Sequence, residues 1–211
     1  MTSFADKVAQ SFPSGISLPD ELRALFDWME STGAFVRGRN ADCAMLYPLG
    51  SVEEESLMMF FTPADAEDIP AWFGTNDPDI TNRVTKLFCT GGDGSYAGIW
   101  LDDDGKQQFV HLGSGSGSVL CCVVTDDPVD FLRLLAIGYE ELCWPEHYEL
   151  LPEDVEDRDG LPKPVELQKW VKTTFGVSIP RTASEIVAPI AEMTDKQSDD
   201  PFWRWTEKVG G

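Results

Sequence analysis

Two glycine-rich stretches, Thr90 to Ser95 (TGGDGS) and Gly113 to Ser118 (GSGSGS), are the first places where this sequence could do chemistry, because such loops cradle phosphates. A phosphate loop needs a helix N-terminus behind it, and usually a lysine, to aim positive charge at the anion. Each stretch is followed by an apolar, strand-like segment instead, and Asp93 would repel the phosphate. Both therefore read as turns. Asp102, Asp103 and Asp104, followed by Gly105, have the composition of a calcium loop. With Gly105 in the sixth position of the EF-hand spacing, Trp100 would be the first ligand and His111 the twelfth, and neither offers a hard oxygen. The triplet reads as a solvated hairpin tip.

The cysteines are Cys43, Cys89, Cys121, Cys122 and Cys143, an odd count with no CxxC pair. Cys121 and Cys122 are neighbours in a strand-like run, so their side chains point to opposite faces and cannot share one zinc ion. No His/Cys spacing supports another metal site, and neither a metal nor a cofactor is expected. His111 and His147 are the only histidines. His111, between Val110 and Leu112, reads as a structural histidine. A cysteine hydrolase would need one of the five thiols to meet one of these imidazoles in space, and no local pattern says which. No residue is expected to be catalytic.

The elements that would have to position any site centre on residues 94 to 143. Tyr96 to Leu101 is short, apolar and aromatic, and Asp104-Gly105 predicts a two-residue hairpin turn, because both residues tolerate positive φ. Phe109, Val110 and Leu112 resume the strand, and Val119 to Val124 is apolar on both faces, as a buried central strand should be. Asp126-Asp127-Pro128 then starts a helix, with aspartate capping the first N–H groups and proline losing none. Leu132, Leu135, Tyr139 and Leu142 form its inward stripe.

Ahead of this centre, residues 1 to 16 predict a short helical segment ending near Pro13 and Gly15. A helix is predicted from Pro19 to about Ser31, with Leu22, Leu25, Phe26 and Met29 inward and Gly33 as its cap. Strands are predicted at 44–49, 57–62 and 84–89, with a loop-rich stretch at 63–79 pinned by Ile69, Trp72 and Phe73. Beyond Cys143, residues 140 to 160 carry nine acids against Arg158 alone, which reads as a mobile or partner-facing connection. A helix follows at 164–175. Thr182-x-x-Glu185 is a capping box for a last helix stopped by Pro189. Phe202, Trp203 and Trp205 carry about 150–250 Å² of burial each. At roughly 4–6 kcal/mol apiece by area, they predict a C-terminal clamp on the chain's own core.

The most unusual global number is a net charge of −21, from 37 acidic and 16 basic residues. Such a surface repels polyphosphate and anionic membranes, which excludes nucleic-acid binders, and it attracts a basic protein. No apolar run approaches the roughly 20 residues that span a bilayer, and MTSFADKVAQSF is no secretory signal. With unpaired cysteines this predicts a cytoplasmic protein. Length predicts one domain over 1–211, with a core at about 18–143 and an acidic connection and extension over 144–211.

Four segments, LPDELRALFDWM (18–29), GSYAGIWL (94–101), the DDG turn with FVHLGS (109–114), and DDPVDFLRLLAIGYEEL (126–142), resemble the SUKH superfamily, which includes fungal regulators of cell-wall assembly and glucan synthesis and bacterial immunity proteins. The resemblance implies an α+β fold, an antiparallel sheet packed by helices, here with a helical C-terminal extension, and no catalytic residues. It implies a cytoplasmic immunity protein that neutralises a cognate toxin, often a nuclease, whose basic groove an acidic protein can occupy. The alternatives are a regulatory scaffold for an endogenous protein and, third, a hydrolase. The expected partner surface combines Glu53, Glu54 and Glu55 with Trp100, Asp102, Asp103 and Asp104.

Overall fold

A computed structural model of the chain describes residues 2–38, 42–53, 57–156, 160–188 and 198–210. The helices are α1 (Phe4–Ser11), α2 (Asp20–Thr32), α3 (Asp68–Phe73), α4 (Pro78–Thr81), α5 (Pro128–Ile137), α6 (Val165–Phe175) and α7 (Pro201–Val209). The strands are β1 (Phe35–Arg37), β2 (Asp42–Met45), β3 (Phe60–Phe61), β4 (Val84–Cys89), β5 (Tyr96–Leu101), β6 (Gln107–Leu112) and β7 (Cys121–Thr125). They pair in sequence order, every neighbour antiparallel, so the sheet is a plain meander. The α+β architecture expected from the sequence is the one observed.

Alternation along the strands divides the molecule into two apolar layers. Ala97, Ile99, Phe109, Cys122 and Val124 face inward under α1, α2, α5 and α6. Tyr96, Trp100, Val110, Leu112 and Cys121 face the other way, under α3 and α7. Cys121 and Cys122 thus do point to opposite faces. The inner layer is stitched by aromatics, with Phe26 edge-on to Phe61 at 5.0 Å and Phe109 stacked on Phe131 at 4.5 Å.

The outer layer depends on α7. Asp200 accepts from the Trp203 N–H at 2.9 Å as its N-cap, and its other oxygen accepts from the Val123 N–H on the edge strand β7 at 2.9 Å. One carboxylate both starts the helix and ties it to the sheet. Phe202, Trp203 and Trp205 are buried beneath it, so the clamp expected of the tail is a capped helix.

Several expectations are corrected. β2 begins at Asp42 rather than Ala44, and only Phe60–Phe61 of the 57–62 segment pairs. The hairpin after β5 is a three-residue loop, not a two-residue turn: the Asp102 N–H donates to the Lys106 carbonyl at 2.9 Å, and Gly105 takes φ 78°. The described part of the acidic stretch is anchored to the core rather than loose, and residues 157–159 lie outside the described residues. The Tyr148 hydroxyl donates to the Leu142 carbonyl and the Tyr139 hydroxyl to the Leu150 carbonyl, and both rings lie in the core. The capping box at Thr182 and Glu185 is present but opens only a single 3-10 turn, Ala183–Glu185. The expected stop at Pro189 lies outside the described residues.

Candidate partner-binding surface

The sequence of connections decides which charges meet. The β3–β4 connection ends in α4 and Arg83, the β5–β6 connection is the hairpin tip, and β7 leads into α5 through Asp126 and Asp127. All three lie at the end of the sheet marked by the pairings Val84↔Trp100 and Phe109↔Thr125. Around β4 to β7, the described residues at this end include Asp77, Asp79, Asp102, Asp103, Asp104, Asp126 and Asp127, with Arg83 and Lys106 among them.

Each carboxylate has a local reason for its place. Asp77 and Asp127 are N-caps, accepting from the Asp79 N–H at 3.0 Å and the Val129 N–H at 2.7 Å. Asp102 shapes the hairpin: one oxygen accepts from the N–H groups of Asp104 and Lys106, the other from the Gln108 amide at 2.9 Å. Partial burial pulls its pKa up, but these donors outweigh it and hold the carboxyl below its ordinary value. Asp103 and Asp104 stand exposed at the tip. Lys106 pairs with Asp126 and lowers its pKa. Arg83 pairs with Asp103 at 2.9 Å while donating twice to the Leu101 carbonyl, and its guanidinium lies 5.1 Å from the Trp205 ring. Both local cations are therefore already engaged.

The structure does not bring the residues expected at the partner surface together. Trp100 is 3% exposed, sealed under α7 between Phe202 and Trp205, so it presents nothing to a partner. Glu53 is exposed, but it sits in the β2–β3 connection, which leaves from the opposite end of the strands. It does not join the hairpin tip. Glu54 and Glu55 lie outside the described residues. Asp126 and Asp127, which sequence reasoning did not group with the hairpin, lie at its end of the sheet, and their place right after a strand was the available signal.

The opposite end carries a different polar cluster. Asp93 accepts from the Ser95 N–H and hydroxyl, the Ser114 hydroxyl and the Ser118 N–H at 2.7–2.9 Å. Burial raises its pKa, yet the four donors bring it down to about 2. The two glycine-rich stretches thus bind each other through this carboxylate. Gly113 and Gly117 are tight approaches, where a Cβ would lie 2.6 Å from the Ser118 carbonyl oxygen and 2.7 Å from the Asp93 side chain.

Beside this cluster the fold does bring a thiol to an imidazole. His111 and Cys122 are ladder partners on the inner face. The His111 Nε2 lies 2.8 Å from the Thr90 hydroxyl and its Nδ1 lies 3.1 Å from the Leu120 carbonyl. That carbonyl can only accept, so Nδ1 carries the proton and Nε2 takes the Thr90 O–H. Burial drives the His111 pKa down to about 4 and pushes the Cys122 thiol well up. An activated pair needs the reverse shifts and access. Thr90, His111 and Cys122 are each 1% exposed, and none lines a described cavity. Among the described residues, no group of three or more His, Cys, Asp or Glu is arranged to hold a metal ion, and no helix is long and apolar enough to cross a membrane.

No protein-family model matches the chain, and neither a curated protein nor a solved structure does.

Proposed function

We propose that this chain is a protein-binding domain of the immunity type, whose acidic hairpin end covers the basic groove of a toxin domain, such as a nuclease. The observation that carries this reading is the concentration of seven carboxylates around β4 to β7 at one end of the sheet, where Arg83 and Lys106 are already paired and the strands hold fixed register. The likeness of segments 18–143 to the SUKH superfamily is part of the proposal. A rigid field of one sign speeds encounter with an opposite charge and orients it, and the effect fades beyond a Debye length of about 8 Å at physiological salt. The contact residues under this reading are Asp102, Asp103, Asp104, Asp126 and Asp127, without Glu53 or Trp100.

The test is co-expression with a toxin domain encoded beside the gene, followed by association kinetics of the purified pair. Rescue is expected, with an on-rate that falls as salt rises. Reversing Asp103 and Asp104 to lysine should slow association about tenfold or more at low salt, with a smaller change in dissociation. No rescue together with no complex at low salt would overturn the immunity reading. An on-rate indifferent to the reversal would remove the hairpin from it. The regulatory-scaffold alternative uses the same surface, and an endogenous partner with no toxic activity would favour it.

A further inference from the structure

Three rings, a carboxylate and a helix C-terminus meet at a groove on the outer layer. It lies between α3, the loop after β6 and the last turn of α7, and has a volume of about 450 Å³. Trp72, Phe73 and Trp203 line it, with Ser114, Glu207 and Gly210. The Trp72 ring is preset by its N–H, which donates to the Gly113 carbonyl at 2.8 Å, and Phe73 stands edge-on to it at 4.6 Å. Among the described residues Glu207 is the only charged one on the lining, is exposed, and enters no ion pair. The last carbonyls of α7, which ends at Val209 with Gly210 as its C-cap, carry the helix's partial negative charge. Neither of the helix's own cations, Arg204 and Lys208, lines the groove, and Arg204 is held by Asp199 and the Ser198 carbonyl.

We infer that this groove binds the guanidinium of an arginine side chain on a basic polypeptide. Aromatic faces attract a cation through their quadrupole, and a planar guanidinium can also stack on indole. The carboxylate and the helix terminus add the same sign, within a protein of net charge −21. The groove adjoins the strand end opposite the acidic hairpin, since Gly113 follows Leu112 whereas the hairpin precedes Gln107. It is therefore a second site, and it stands or falls separately from the hairpin reading.

The test uses the ¹⁵N-labelled full chain and the seven indole N–H signals of its tryptophans, with those of Trp72 and Trp203 assigned through Trp72→Phe and Trp203→Phe. Acetyl-Gly-Arg-Gly-amide is titrated at physiological salt beside its citrulline counterpart, which keeps the shape and removes the charge. Saturable shifts confined to Trp72 and Trp203 are expected with arginine only. Glu207→Gln, an exposed change that leaves the fold alone, should weaken binding about two- to fivefold. Asn at both Asp103 and Asp104 should leave it unchanged. Absent shifts, equal shifts with citrulline, or unsaturable shifts spread over all the indoles would overturn the inference.

Discussion

Acid should destabilise this protein through His111 by an amount the structure allows to be worked out. The imidazole is buried, and burial lowers its pKa from 6.5 to about 4, against the opposing pull of the Leu120 carbonyl and Asp93. The unfolded chain keeps the ordinary value, so between these two values it binds a proton that the folded chain refuses. Stability from this group is complete above the unfolded value, falls as pH drops through the window, and is fully lost below the folded one. Between about pH 7 and about pH 5 the loss is about 2 kcal/mol, at about 1.4 kcal/mol per pH unit across most of that interval. Urea unfolding of the wild type and of His111→Gln, each at both pH values, isolates this contribution. The carboxylates titrate in both proteins and cancel in the comparison. The wild type should lose about 2 kcal/mol more than the variant over that interval. Parallel pH profiles would show that the imidazole is not held neutral in the core, and would restore it as a candidate base.

Two further perturbations read the outer layer and the sheet. Asp200→Ala removes an N-cap, worth about 1 kcal/mol, and strips the Val123 N–H of its acceptor, which costs a further 1–3 kcal/mol or so. A urea midpoint shift worth less than about 0.5 kcal/mol would mean that α7 is not tied to β7 as described. Gly98→Ala places a Cβ 2.5 Å from the Thr85 carbonyl oxygen, a backbone atom beside the irregular register of β4. Overpacking should cost about 1–3 kcal/mol, where an unhindered site would gain about 0.4–1 kcal/mol from the stiffer unfolded chain. The sign of the change in thermal midpoint decides between them.

What could be read from the sequence was whatever depends on near neighbours in the chain. The apolar spacing of Leu22, Leu25, Phe26 and Met29 gave α2, and Asp127-Pro128 gave the start of α5, because caps and stripes are local. The same logic was available in Asp200-Pro201, where the side chain caps and proline takes the first turn, yet the tail was read for its aromatics alone. β1 and β3 were poorly legible because they are three and two residues long, and pairing rather than propensity makes them strands. The burial of residues 139–152 was hidden by their acidity. Tyr139, Leu142, Cys143 and Tyr148 enter the core, and bonds no local pattern foretells close the segment, among them the two tyrosine hydroxyls and Glu141, which accepts from the Gly92 N–H at 2.6 Å.

The separation of Glu53 and Trp100 from the hairpin aspartates has a physical reason. In an antiparallel meander each connection leaves from the end opposite the one before. The β2–β3 connection bearing Glu53 and the β5–β6 connection bearing Asp102 to Asp104 are three steps apart, an odd number, so they must lie at opposite ends. The β7–α5 connection is two steps beyond the hairpin, an even number, and Asp126 and Asp127 must therefore join it. The Lys106–Asp126 pair is the contact this parity requires. Trp100 fails for a related reason: alternation places it on the outer face with Tyr96, where α7 covers it. The acidic end thus follows from strand order alone, and any partner drawn to it meets charges whose spacing is set by backbone hydrogen bonds.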